Sequence, residues 1–304
     1  MIPRNTKKDI LSFSRRFLLE HPFLNPYGFK KNRFTKNISR EIRILPEFLI
    51  IGYHKCGTTS LYNYLNQHPN IGKSSRKEIQ YFTLSYWRGE KWYRTYFPTI
   101  LTKRKIEKKT GCKFITGEAT PQYIFHPKSL NRIKSDLPNV KIIVLLRNPI
   151  DRAFSHFMHN LRINNENVDT FEEAIELDEI RYTELFEGFE KDSIKEYEIK
   201  KFLPPYLKMG KYIEQIKKLF VLFSPKQIMI LDINELEKEP FNTVNRVFRF
   251  LELPNLDSID TEKKNIGNYS NTIKEDTKNK LKDYYKESIV ELESFLNRKF
   301  NWID

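Results

Sequence analysis

A short apolar strand that leads into a glycine-containing loop constrains this chain of 304 residues more than any other feature. Residues 48–51 form a continuous apolar run, as expected for a buried parallel strand. Gly52 opens a loop that ends at Gly57, and residues 61–65 follow with the pattern of an amphipathic helix. The N–H groups at such a helix start are unpaired and lie at the positive end of the helix dipole, so the stretch predicts a phosphate cradle.

The position of the lysine distinguishes this loop from an ATP-binding loop. The spacing from Gly52 to Gly57 matches the Walker pattern, but Thr58 stands where that pattern has lysine, and Lys55 lies inside the loop instead. A tight turn between a strand and a helix would use the same glycines. This segment alone therefore does not decide the function.

A second apolar run, residues 142–146, ends at Arg147. In phosphate-loop ATPases and GTPases a strand of this kind ends in an aspartate that handles magnesium. An arginine there offers a forked, permanently charged group to a phosphate. Pro149 suits the first turn of a new helix, and Ser155 lies about two turns further on. A local ion pair between Arg147 and Asp151 is the simpler alternative.

Five segments, in order, resemble sulfotransferases that use 3′-phosphoadenosine 5′-phosphosulfate (PAPS), most closely the carbohydrate branch and its bacterial relatives. These segments are residues 55–60, 77–82, 87–98, 117–123 and 147–155. The resemblance covers residues 46–304. Gln80 and Ala119 depart from the heparan-type pattern, which usually has His and Lys there. Both departures bear on the identity of the acceptor more than on sulfuryl transfer.

The resemblance implies a role for each matching residue. The residues that would bind the 5′-phosphosulfate of PAPS are Lys55, Cys56, Gly57, Thr58, Thr59 and Ser60. Arg147 and Ser155 would bind its 3′-phosphate. Lys55 would also stabilise charge on the leaving phosphate, and Glu78 would be the base that takes the acceptor's proton. His54 and Glu118 are competing candidates for the base, and no metal is required.

The alternation of strands and helices predicts an α/β fold of the phosphate-loop type, with three layers and a mostly parallel central sheet covered by helices. Predicted strands cover residues 48–51, 114–117, 142–146 and 227–232. Predicted helices cover residues 59–67, 127–136, 171–177, 212–220, 241–251 and 273–296. Residues 103–109 are expected to be a solvated helix or loop. Two domains are expected: a basic arm, residues 1–45, and a sulfotransferase domain, residues 46–304.

The formal net charge of +14 is concentrated in the N-terminal arm. The arm also has apolar residues at helical spacing, so it is expected either to pack on the catalytic domain or to lie on an anionic membrane surface. Basic character favours an anionic or glycan acceptor, while no recognised nucleic-acid-binding module is present. Without a membrane-spanning run or a signal peptide, we expect a cytoplasmic location, with peripheral membrane contact as an alternative.

The remaining reactive side chains do not predict another chemistry. Cys56 and Cys112 are expected to be free thiols. His156 and His159 are expected on a surface helix rather than in a metal site. Two other functions stay open: a phosphate-loop kinase, which Thr58 and Arg147 disfavour, and a non-catalytic relative that binds a nucleotide or a glycan.

Overall fold

The computed structural model describes residues 42–194, 202–261 and 272–302. Most of the predicted basic arm lies outside these ranges. Residues 43 and 44 already contact the catalytic domain, since Arg43 forms an isolated bridge with Thr99 and the Ile44 N–H donates to the Pro98 carbonyl at 3.0 Å. The proposed domain boundary near residue 45 remains a prediction.

A five-stranded sheet in the order β2-β3-β1-β4-β5 forms the centre of the domain. Its strands are β1 (Phe48–Gly52), β2 (Ile71–Lys73), β3 (Ile115–Ala119), β4 (Lys141–Leu146) and β5 (Ile228–Asp232). Every neighbouring pair is parallel. All five residues of β1 are buried, as are residues 142–146 of β4, because the sheet is covered on both faces. The predicted parallel α/β fold is confirmed.

Eleven α-helices are present in the described ranges. They are α1 (Thr58–Leu65), α2 (Gly89–Arg94), α3 (Ile100–Thr110), α4 (Ser129–Asp136), α5 (Pro149–Arg162), α6 (Phe171–Glu176), α7 (Asp178–Glu190), α8 (Ile213–Leu222), α9 (Ile233–Lys238), α10 (Pro240–Phe250) and α11 (Glu275–Leu296). Helix α1 packs on α10, α4 on α8, and α5 on α11. Short 3₁₀ turns occur at Tyr86–Arg88, Pro121–Tyr123, Lys208–Gly210 and Pro225–Gln227.

Several elements differ from the sequence prediction. Strand β2 was not predicted, because three residues are too few for a periodic signal. Helix α3 settles the choice left open for residues 103–109, and it has no buried residue that would have marked a core-facing stripe. Helix α7 extends to Glu190, and residues 195–201 lie outside the described ranges.

The parallel pairing places the two predicted anion-binding segments side by side. Gly52 at the end of β1 is in register with Leu145 of β4, and Arg147 follows the end of β4 directly. Both strands therefore deliver their loops to the same edge of the sheet, where ligands bind in such folds. Gly52 has φ +142°, and a Cβ atom built there would lie 2.7 Å from the Leu145 carbonyl oxygen.

This close approach gives a stability prediction. Gly52→Ala should lower the free energy of unfolding by about 2–4 kcal/mol, since it combines a strained backbone with a backbone clash. Gly111→Ala is the matched control, because Gly111 also has a positive φ, +69°, but has no atom within 4 Å of an added Cβ. The control should lose about 1–2 kcal/mol. Urea unfolding measures both, and equal losses would contradict the clash.

Candidate active site

The loop between β1 and α1 has the backbone of an anion cradle. Lys55 has φ +71° and Gly57 has φ +84°, so the chain turns back sharply before the helix begins at Thr58. Gly57 is the N-cap of α1 and has no side chain that could satisfy the N–H groups of the first turn. Those groups, together with the helix dipole, favour an anion at this point.

Arg147 lies against this loop rather than against the local carboxylate. Its Nη1 donates to the Lys55 carbonyl at 3.2 Å, and its own carbonyl accepts from the Tyr212 hydroxyl at 2.8 Å. Within the described ranges, Arg147 forms no ion pair with Asp151 or another carboxylate. The structure thus brings Lys55 and Arg147 together. Ser155 is buried in α5, beyond the Asn148 cap that accepts from the Ile150 N–H at 2.9 Å.

Glu78 is held beside the loop by its neighbour Lys77. The Lys77 Nζ contacts Thr59 Oγ1 at the start of α1 and forms an ion pair of 3.2 Å with Glu78 Oε1. The Glu78 N–H donates to the Ala119 carbonyl at 3.2 Å, at the end of β3. Sequence reasoning did not include Lys77 among the site residues. The sequence shows only that Lys77 is next to the candidate base. The contact of Lys77 with the loop depends on the tertiary fold.

Glu118, one of the competing bases, is a structural residue. Its carboxylate is fully buried and accepts hydrogen bonds from the hydroxyls of Tyr93 at 2.6 Å, Thr120 at 2.7 Å and Tyr123 at 2.9 Å. Burial raises the pKa of Glu118, although these hydrogen bonds act in the opposite direction. An acceptor molecule cannot reach a carboxylate enclosed in this way. Its role is to fix the aromatic residues behind the Glu78 segment.

His54 lies beside His156, with their rings stacked at 5.1 Å. Burial lowers the pKa of both imidazoles below the ordinary value, so both are neutral near pH 7. The expectation of a surface position was wrong for His156, which faces inward from α5 and is buried. In the part of the chain that is described, no group of three or more His, Cys, Asp or Glu side chains could hold a metal ion.

The side chain of Cys56 packs in the core, while its backbone belongs to the loop. Cys56 is fully buried, and burial raises the pKa of its thiol to about 11, so it stays protonated at neutral pH. Cys56 and Cys112 are both free thiols, as predicted. The Cys56 N–H donates to the Tyr53 carbonyl at 3.3 Å and so helps to close the loop.

Positive charge converges on Lys55. Its pKa is lowered mainly by burial and further by the charges of Arg162, Arg147 and Lys77. Mutual repulsion between cations is relieved when an anion binds among them. The fold is an α/β fold of the phosphate-loop type, and its candidate anion site combines a lysine within the loop with an arginine at the end of the neighbouring strand.

Comparisons with known proteins identify the family. The sulfotransferase domain family matches residues 45–300, and the chain belongs to it. The crystal structure of a sulfotransferase from Alicyclobacillus acidocaldarius has a TM-score of 0.66 and 26% identity, and the match covers 86% of this chain and 100% of that chain. The predicted class, a PAPS-dependent sulfotransferase, is thereby confirmed at the level of the family.

Two curated relatives show further similarity. The membrane-associated sulfotransferase kil1 of Dictyostelium discoideum is 27% identical, over 87% of this chain and 68% of its own length. The human bifunctional heparan sulfate N-deacetylase/N-sulfotransferase 3 is 30% identical, over 75% of this chain but only 24% of its own length. The chain thus spans about a quarter of that relative. Of the helices described here, none is long and apolar enough to cross a membrane.

The lowered pKa of Lys55 predicts the pH dependence of ligand binding. An anionic donor needs the charged ammonium, so the affinity for adenosine 3′,5′-bisphosphate should fall as pH rises through this lowered pKa, at a pH below 10.5. Lys55→Arg keeps its charge throughout and should not show this fall. Lys103→Arg, at the remote ion pair with Glu47, is the control and should keep the wild-type profile. Identical alkaline profiles for Lys55→Arg and wild type would contradict the assignment.

Proposed function

We propose that this protein transfers the sulfuryl group of PAPS to a hydroxyl or amino group of a carbohydrate. The observation that carries the proposal is the double contact of Lys77, which touches Thr59 at the start of α1 and Glu78 at the same time. This contact joins a phosphate cradle to a carboxylate. Sulfuryl transfer needs both groups at one point: an anion site for the leaving group and a base for the acceptor.

The donor half of the mechanism follows from the loop. As the bond between sulfur and the bridging phosphate oxygen breaks, negative charge builds on that oxygen. Lys55 and the backbone N–H groups of residues 57–59 would stabilise this charge, and electrostatic stabilisation of this kind is the largest single contribution to catalysis in many enzymes. Arg147 and Ser155 would hold the 3′-phosphate and so keep the donor in register with the acceptor. Adenosine 3′,5′-bisphosphate is then the product.

The acceptor half depends on Glu78. The acceptor oxygen or nitrogen forms its bond to sulfur in line with the leaving oxygen, and its proton passes to the Glu78 carboxylate. Lys77 lies between Glu78 and the loop, so its ammonium is placed to attract the sulfuryl oxygens during transfer. His54 is the alternative base, since it lies in the loop itself and is neutral at pH 7.

A carbohydrate acceptor is supported by the relatives and by charge. Several relatives are named as heparan sulfate N-deacetylase/N-sulfotransferases. The net charge of +14 suits an anionic polysaccharide. Peripheral membrane contact through the basic arm, which is mostly outside the described ranges, is part of the proposal, and one relative is named membrane-associated. Membership of the family removes the kinase alternative, while binding of donor without transfer would favour a non-catalytic protein.

Replacing the base tests the chemistry. Glu78→Gln should keep the affinity for adenosine 3′,5′-bisphosphate but lower turnover by ~10²–10⁴-fold, because general base catalysis typically contributes that much. His54→Ala should cost much less. Turnover is measured with radiolabelled donor over a panel of glycans and small phenols. Near-normal turnover of Glu78→Gln, with a collapse in His54→Ala, would move the base to the histidine.

The 3′-phosphate assignment has its own test. Arg147→Ala and Ser155→Ala should both weaken donor binding, with the arginine costing more, since a charge-assisted contact contributes ~1.5–3 kcal/mol and a neutral one ~0.5–1.5. Titration with an analogue that lacks the 3′-phosphate provides the control, because neither variant should then differ much from wild type. If the variants lose as much affinity for this analogue as for the full ligand, they do not bind the 3′-phosphate.

A further inference from the structure

Trp87 is an exposed indole next to the catalytic segment. It leaves 74% of its surface accessible, whereas Trp302 is 5% exposed and Trp92 packs against the core. It belongs to the 3₁₀ turn Tyr86–Arg88, in the same connection between β2 and β3 as Glu78. A broad, rigid, apolar face of this kind can stack against a ring at little cost in conformational entropy.

The neighbouring Arg88 has a guanidinium that lies against aromatic rings and forms no ion pair in the described part of the chain. Its guanidinium carbon lies 4.6 Å from the centre of the Trp87 ring and 5.0 Å from that of Trp92. Its Nε is shielded from solvent without a hydrogen-bond partner in the described structure. Nearby arginines are neutralised: Arg94 pairs with Glu90, and Arg132 with Asp192. An unpaired guanidinium held in this way is suited to a carboxylate or sulfate.

A cavity with a mixed apolar and polar lining adjoins the exposed indole. It has a volume of about 280 Å³, and Trp87, Thr83, Arg132 and Asp192 are among the residues that line it. The half-exposed Asp192 carboxylate, which pairs with Arg132, is a polar acceptor beside the aromatic surface, whereas the Thr83 hydroxyl is buried and donates to the Gln80 side chain. Ligand sites combine apolar faces with a few placed polar groups in this manner, and a sugar ring presents the matching apolar face and hydroxyls.

The fold also limits the distance from this turn to the candidate base. The Ser85 N–H donates to the Gln80 carbonyl at 3.0 Å. This hydrogen bond closes a tight loop in the segment between Glu78 and Trp87. Glu78 is two residues before this closure and Trp87 two residues after it. With consecutive Cα atoms 3.8 Å apart, the Cα atoms of Glu78 and Trp87 are within about 20 Å of each other. A short oligosaccharide can span a distance within this limit.

We propose that Trp87 and Arg88 form a second acceptor subsite, which binds an anionic sugar of a polysaccharide chain whose reacting group lies at Glu78. The inference rests on the proposed function and specifies its acceptor class, an acidic glycan. The indole stacks on the sugar ring, and Arg88 pairs with the carboxylate or sulfate that the sugar carries. This subsite contributes to binding of the chain and not to the chemical step.

The kinetic test compares acceptors of different length. The probes are oligosaccharides of alternating uronic acid and glucosamine, from a disaccharide to long chains, together with a small phenol. Trp87→Ala and Arg88→Ala should each raise KM for the long chains about tenfold, the scale of one lost charge-assisted contact, and leave kcat unchanged. KM for the disaccharide and the phenol, and the affinity for adenosine 3′,5′-bisphosphate, should not change. Arg88→Lys, which keeps the charge but loses the planar fork, should fall between wild type and Arg88→Ala.

Arg104→Ala is the matched control, because it removes one exposed positive charge from α3. Its KM for long chains should stay close to wild type. An equal rise in Arg104→Ala would show a diffuse electrostatic effect and overturn the subsite. A rise in KM for the phenol in the Trp87 or Arg88 variants would overturn it as well, because the change would then act on the reacting centre.

Direct binding separates this inference from the proposed function. Long acidic chains should quench the tryptophan fluorescence of the wild type, and Trp87→Ala should abolish this change. If the wild type transfers sulfuryl groups to no glycan but the quench occurs and is lost in Trp87→Ala, the proposed function fails and the subsite stands. Transfer to glycans that is independent of chain length, with no quench, would overturn the subsite and leave the proposed function intact.

Discussion

The parallel pairing of β1 with β4 is the constraint on which the site depends. Because Gly52 is in register with Leu145, the loop that follows β1 and the arginine that follows β4 emerge side by side. The hydrogen bond from Arg147 to the Lys55 carbonyl then fixes the shape of the loop, including the positive φ of Lys55. Two short segments, nearly a hundred residues apart in the chain, thus lie side by side and form the proposed anion site. The strands that align them are buried, because both faces of the sheet are covered.

The segment that carries Glu78 is held in place by a different set of contacts. The Glu78 segment rests on a buried carboxylate, Glu118, whose three hydroxyl partners tie the end of β3 to the aromatic residues of the connection. Such a network is stable only when each member is satisfied, and here the hydrogen bonds from Tyr93, Thr120 and Tyr123 offset part of the cost of burying the Glu118 carboxylate. The segment that presents the base is therefore held by its own core and not by the donor loop alone.

The sequence predicted those parts whose signals are local and strong. Long apolar runs marked β1 and β4, the glycines marked the loop, and Asn148 with Pro149 marked the start of α5, which the Asn148 cap bears out. Strand β2 was too short to give a pattern, and α3 lacks a buried face. Lys77 and the burial of His156 could not be read from the sequence, because both depend on which segments the fold places against the loop. The stacking of Arg88 between two indoles likewise arises only when Trp87 and Trp92 meet in space.

The connection between β2 and β3 has a consequence for how this enzyme family can diversify. The proposed donor contacts come from the connections after β1 and β4, whereas Glu78, Trp87 and Arg88 all lie in the connection between the neighbouring strands β2 and β3. Its anchors include the Lys77 contact with α1, the Glu78 bond to the end of β3, the hydroxyls of Tyr81 and Tyr86 on Asp136, and the aromatic residues around Glu118. A chain that keeps these anchors can change exposed positions of the connection, such as Trp87, without disturbing the core. Acceptor preference can then change through substitutions in this one connection, while the residues proposed to bind the nucleotide stay the same.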